Sequence, residues 1–188
     1  MPPEPTDDQL MQRYSRGEVE AFDALYARHG RWLYALIARQ SPLAAWVDDI
    51  YQDTWLAVTR SRETYTATAG FRTWLYQIAR NRLIDMLRQH DPARWQQWQD
   101  DPDDIFDTIA DPAPGPESQY SRQQQREALQ QALAELPPAQ REVFLLREHA
   151  ELSLDEIGRL TGVSGETAKS RLRYALARLA SALAGRFA

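Results

Sequence analysis

Residues 91–121 divide this chain. Between Asp100 and Glu117 seven acids (Asp100, Asp101, Asp103, Asp104, Asp107, Asp111 and Glu117) occur without a single base. Asp91-Pro92, Asp101-Pro102 and Asp111-Pro-Ala-Pro-Gly-Pro116 punctuate the same stretch. Proline removes a backbone donor and the acids repel one another, so no continuous helix is expected to run through it. One core therefore does not span all 188 residues, and the sequence predicts two blocks, 7–90 and 122–186, on either side of an acidic linker, 91–121. Thirty extended residues at ~3.3 Å each would reach ~100 Å. Trp95, Trp98, Ile105, Phe106 and Ile109 are the side chains in the linker able to dock.

Both blocks show helical periodicity, and no segment alternates like a strand between turn signals. The first block carries Leu10, Met11 and Tyr14, then Phe22, Leu25 and Tyr26, then Trp32, Leu33, Leu36 and Ile37, with Gly17, Gly30 and Ser41-Pro42 as punctuation. A further helix holds Val47, Ile50, Tyr51, Trp55 and Val58, and the last runs from near Phe71 to about Gln89. The expected fold is all-α, in two helical domains. In the second block Pro137-Pro138 separates a helix ending at Leu136 from one carrying Val143, Phe144, Leu145 and Leu146. Ser153-Leu-Asp-Glu156 is a capping box opening a short helix, which Thr161-Gly162-Val163 ends and after which Ser164 is placed to cap a longer one. Short helix, glycine turn, longer helix is the helix-turn-helix layout.

The charge is unevenly spread. Net charge is −5, yet four arginines face Asp85 alone between Phe71 and Arg88, and from Ile157 onward five arginines and Lys169 face only Glu166. Local basic patches attract phosphate whatever the total. Cysteine is absent, which excludes disulfides, thiolate catalysis and cysteine-based metal sites. His29, His90 and His149 are widely spaced, outside any ligand or triad motif, and no glycine-rich phosphate loop precedes a helix. Neither an enzyme nor a cofactor or metal is expected. Met1-Pro2-Pro3-Glu4-Pro5 lacks the basic start and apolar core of a secretion signal, and no run of ~18 apolar residues occurs. The expectation is a cytoplasmic protein without membrane insertion.

Three helix faces carry candidate chemistry. On the last helix, with Leu172 as reference, Ala168, Ala175, Leu176, Leu179 and Leu183 fall within ~60° and form the expected buried stripe. The opposite face collects Glu166, Thr167, Ser170, Arg173, Tyr174 and Ala177, flanked by Lys169 and Arg171, groups suited to base edges and phosphates in a major groove. On the helix over 47–58 the far face shows Asp49, Gln52, Asp53 and Leu56, either a solvated face or a docking surface. The helix over 71–88 sets Gln77, Arg80, Asn81 and Arg88 on one side, with Phe71, Trp74 and Tyr76 clustered at its start. Phe71 and Trp74 there have two readings, core filling or stacking on unpaired bases.

These segments resemble bacterial sigma factors of the extracytoplasmic-function (ECF) class. Asp48-Asp-Ile-Tyr-Gln-Asp-Thr-Trp-Leu56 is similar to that family's acidic helix, and Phe71-Arg-Thr-Trp-Leu-Tyr-Gln-Ile-Ala-Arg-Asn-Arg-Leu-Ile-Asp85 to the helix that follows it. Leu136-Pro-Pro-Ala-Gln-Arg-Glu-Val-Phe-Leu-Leu-Arg147 resembles the start of the family's last domain, and Leu154-Asp-Glu-Ile-Gly-Arg-Leu-Thr-Gly-Val163 with Thr167-Ala-Lys-Ser-Arg-Leu172 its helix-turn-helix. The resemblance implies a sigma domain 2-like bundle over 7–90 and a sigma domain 4-like domain over 122–186. It implies binding to core RNA polymerase through Asp49, Gln52, Asp53 and Leu56. It further implies −10 recognition and melting by Phe71, Arg72, Trp74, Arg80 and Asn81. Lys169, Ser170, Arg173 and Tyr174 would read the −35 element, with Arg171 on phosphate. Promoter DNA is then a partner, and an anti-sigma factor or other regulatory protein a further one. Ser164-Gly165-Glu166 departs from the family's proline-containing turn, and the loop 64–70, rich in Thr and Ala, leaves the −10 preference open. The rival reading is a helix-turn-helix regulator that binds duplex DNA without polymerase.

Overall fold

The computed structural model describes residues 4–66, 70–99, 122–150 and 152–187. The linker beyond Gln99, with Ile105, Phe106 and Ile109, and residues 67–69 of the 64–70 loop lie outside them. Every regular element among the described residues is helical, and the chain divides into two compact units, Met1–Pro92 and Ala93–Ala188.

Among the described residues the first unit has four α-helices. Thr6 caps α1 (Asp7–Ser15) by a reciprocal box: Gln9 N–H donates to Thr6 Oγ1 at 3.3 Å and Thr6 N–H to Gln9 Oε1 at 2.9 Å. Such a cap contributes about 1 kcal/mol. Gly17 turns the chain at φ +96° into α2 (Val19–Gln40). Glycine at position 30 does not break this helix. A Cβ there would come within 2.7 Å of the Tyr51 hydroxyl, so Gly30 is the notch that receives Tyr51. A 3₁₀ turn over Ala44–Trp46 leads into α3 (Val47–Arg60), and Gly70, at φ +74°, leads into α4 (Phe71–His90). α1 packs on α2 and α3 on α4, burying Leu10, Met11, Leu25, Leu33, Leu36, Ile50, Leu75 and Leu87. Full burial of each such side chain is worth about 1.5–3 kcal/mol. Tyr76 donates its hydroxyl to Gln40 Oε1 at 2.9 Å within that core.

Helix continues into the first residues of the expected linker. α4 does stop at His90, but α5 (Pro92–Gln99) follows at once and belongs to the second unit. The reason is twofold: Pro92 stands at the first helical position, where no N–H is needed, and Trp98 is buried to 6% exposure. Its Nε1–H donates to Glu142 Oε2 at 3.3 Å. α6 (Arg122–Glu135), α7 (Pro138–Ala150), α8 (Leu154–Thr161) and α9 (Gly165–Phe187) complete the unit. α9 is its axis, packed by α6, α7 and α8. Ala132 and Leu133 of α6, with Leu136 just after it, meet Ala175 and Leu179 of α9. Among the described residues no helix is long and apolar enough to cross a membrane.

Candidate nucleic-acid and partner interfaces

α3 is amphipathic because Val47, Ile50, Thr54, Trp55 and Val58 recur at helical spacing and are buried. Thr54, fully enclosed, donates its hydroxyl back to Ile50 O at 2.6 Å and so has its own polar group satisfied. The opposite side brings Asp49, Gln52, Asp53 and Leu56 together in solvent, Leu56 at 48% exposure. Beside them stands a set of aromatic rings. Tyr26 and Trp55 are 4.9 Å apart, Tyr34 and Tyr51 5.4 Å, and Tyr34 donates to Asp48 Oδ1 at 3.0 Å. Burial and a hydrogen bond with Tyr26 push the Tyr51 hydroxyl up to about 12, so it stays neutral. An acidic face with a central leucine and tyrosines at its edge suits a basic, partly apolar partner surface.

At the start of α4 the two readings open for Phe71 and Trp74 separate. Phe71 is 2% exposed, its ring 5.2 Å from His29 and 5.8 Å from Trp74. It fills the core, because the helix enters the bundle at its first residue. Trp74 is half-buried and leans on Tyr65, with ring centres 4.8 Å apart. Arg72 lies with its guanidinium 4.4 Å over the Trp32 ring, a cation–π contact between α4 and α2. Arg80 is half-buried and Asn81 exposed. Trp74, Arg72, Arg80 and Asn81 thus offer one aromatic face, two cations and one amide from a single helix, Arg72 leaning on Trp32 and Trp74 on Tyr65, groups of the kinds able to bind an unpaired strand. Trp32 and Tyr65 were not legible as parts of this site, since they approach it from α2 and from the loop after α3.

In the second unit the helix-turn-helix has the expected caps. Ser153 N–H donates to Glu156 Oε2 at 2.8 Å and Glu156 N–H to Ser153 Oγ at 3.3 Å. The Ser153 hydroxyl and amide hold the Glu156 carboxyl below the usual carboxylate range. Gly162 takes φ +78°, and Ser164 caps α9 by accepting Thr167 N–H at 3.0 Å. Lys169 and Arg173 are exposed, and Ser170 and Arg171 half-buried. Lys169 lies 3.7 Å from Glu166, three residues back.

Two positions on α9 differ from the periodicity. Tyr174, expected on the groove face, is 9% exposed, and Leu176, expected in the buried stripe, is 48% exposed. The cause is that three helices pack around α9 and take Ala168, Tyr174, Ala175 and Leu179, turning the enclosed arc away from Leu172 and Leu176. Arg173 folds over its neighbour, 5.0 Å from the Tyr174 ring, and donates to its hydroxyl at 3.3 Å. Tyr174 therefore supports Arg173 and does not itself project toward a groove.

Comparison with known proteins resolves the family. Residues 25–92 match the Sigma-70 region 2 model and residues 126–179 the Sigma-70 region 4 model. The chain is 34% identical to the RNA polymerase sigma factor CarQ of Myxococcus xanthus, over 86% of this chain and 88% of that one. It is 31% identical to the ECF RNA polymerase sigma factor SigM of Mycobacterium tuberculosis, over 96% and 86%.

The chain belongs to the ECF sigma factors.

The sigma factor also shares its fold with RpoE of Bartonella quintana, solved in complex with the anti-sigma factor NepR, at a TM-score of 0.64 and 25% identity, covering 86% of this chain and 96% of that one. Region 2 matches the first unit and region 4 the helix-turn-helix. The duplex-only regulator accounts for the second unit alone, so the sigma reading is favoured over it.

Proposed function

We propose that this sigma factor divides initiation between its two units as follows. It directs promoter-dependent transcription with RNA polymerase and is not itself an enzyme, so its work is binding and orientation, carried out where the polymerase is, in the cytoplasm. The exposed face of α3, with Asp49, Gln52, Asp53 and Leu56, docks on core polymerase. Arg72, Trp74, Arg80 and Asn81 receive the opened −10 strand, with Phe71 acting from the core beneath them. Lys169, Ser170 and Arg173 read the −35 element in the major groove, Arg171 grips phosphate and Tyr174 backs Arg173. An anti-sigma protein is the regulatory partner, by likeness to the RpoE–NepR complex. The acidic residues of 100–117 suit channels that otherwise hold nucleic acid.

The observation that carries this reading is the presence, in one chain, of a region 2 match bearing the acidic and the aromatic–basic faces and a region 4 match bearing the helix-turn-helix. Run-off transcription by bacterial core polymerase, with and without the protein, on genomic fragments including its own promoter tests it. Discrete transcripts that need the added protein support it, and alignment of their start sites yields the promoter. Absence of both transcripts and core association, alongside tight duplex binding by the free protein, overturns it.

A further inference from the structure

The sites above do not use α1, yet its first turn reaches the opening site. Tyr65 donates its hydroxyl to Asp8 Oδ1 at 2.6 Å, across 57 residues of sequence. The Tyr65 ring in turn meets Trp74 edge-on at 4.8 Å and Phe71 at 6.2 Å. The neighbouring acid, Asp7, ties the same turn to α2: its Oδ2 lies 2.8 Å from His29 Nε2, and its Oδ1 accepts from Arg28 Nη1 at 2.6 Å. His29 then packs on Phe71. Both shoulders of the opening site, Tyr65 before it and Phe71 at its start, are thus braced by two consecutive carboxylates on one capped helical turn. Burial and the Asp8 carboxylate both raise the Tyr65 hydroxyl above its ordinary range, which keeps its proton on the bond to Asp8.

We infer that Asp8 and Tyr65 are positioning residues for strand opening, the first turn of α1 holding the ring that sets the pose of Trp74. The physical reason is preorganisation. An aromatic ring that is to receive an unstacked base must already stand in its final rotamer, or ordering it is charged against every opening event. Trp74 has no hydrogen-bonded anchor of its own among the contacts described; its pose is set by Tyr65 and Phe71, and theirs by Asp8 and by Asp7 through His29.

This inference rests on the sigma reading above, and the test separates the two. The full-length protein is assembled with core polymerase on its promoter, as mapped by run-off, and opening is followed as permanganate reactivity of unpaired thymines. The parent, Tyr65→Phe, Asp8→Ala, Asp8→Asn and the double variant Asp8→Ala/Tyr65→Phe are compared. Core association and thermal melting are measured beside them. Loss of one hydrogen bond on the path to the open state predicts about fivefold slower opening for Tyr65→Phe and Asp8→Ala. The double variant is expected to be no slower than the slower single one. Asp8→Asn, which keeps an acceptor, restores most of the rate. Core association stays at the parent level in all. Opening at the parent rate, losses that multiply in the double variant, or slowing that only follows core association or melting overturns the positioning role. A parent that opens no template overturns the sigma reading first, and this inference with it.

Discussion

His29 shows how one side chain ties stability to pH. Its ring is buried between α1 and α4, and burial lowers its pKa from 6.5 although Asp7 pulls the other way, with Arg72 and Arg28 adding to the lowering. The unfolded chain therefore binds a proton that the folded unit refuses, and stability rises with pH through that window. The contribution is complete above 6.5 and is lost as pH falls from there through the lower folded value. The melting temperature of the parent should fall between pH 7.5 and 5.5, and His29→Gln should flatten that slope; equal slopes would count against it. Arg173 makes a second residue-scale case. Lying free of the core on its tyrosine shelf, it should read one base pair, so Arg173→Ala costs about 1–3 kcal/mol at a single −35 position. Uniform weakening across substituted promoters would reassign it to phosphate.

Among the elements, the helix-turn-helix depends on a glycine that periodicity passes over. A Cβ on Gly158 of α8 would sit 2.8 Å from Val163 O and 3.1 Å from Gly165 N, backbone atoms that cannot step aside without opening the turn. Gly158→Ala should destabilise the second unit by about 1–3 kcal/mol in thermal melting. Gly185→Ala, on the same unit with open space around it, should be neutral or slightly stabilising. α5 is the other element whose fate turns on one residue. Trp98 fills a buried site against α7, so Trp98→Ala should cost about 3 kcal/mol in chemical denaturation and release α5. An unchanged denaturation midpoint would show that α5 contributes nothing to the unit.

For the whole molecule, charge placement is what lets a chain of net charge −5 work on DNA. The acids concentrate on the α3 face and in the linker, while arginines gather on α4 and α9. Asp53→Arg, which reverses one charge on an exposed face, should weaken core association while leaving thermal melting unchanged. Full association would remove α3 from the dock. Much of this was legible in the sequence because the signals are local. Ser153 caps its helix through a residue three positions away, Pro137-Pro138 and Gly162 stop helices, and the 3.6-residue repeat of α3 places Asp49, Gln52, Asp53 and Leu56 on one side with no help from neighbours. What the sequence could not decide is anything settled by more than one neighbour. α9 is enclosed by three helices, so its buried arc follows their placement, and Tyr174 and Leu176 changed sides. Pro92 and Trp98 turned the start of an expected linker into a docked helix, because only the folded second unit supplies the buried site that offsets ordering those residues. Asp8 met Tyr65 for the same reason: a contact across 57 residues exists only once the bundle has closed.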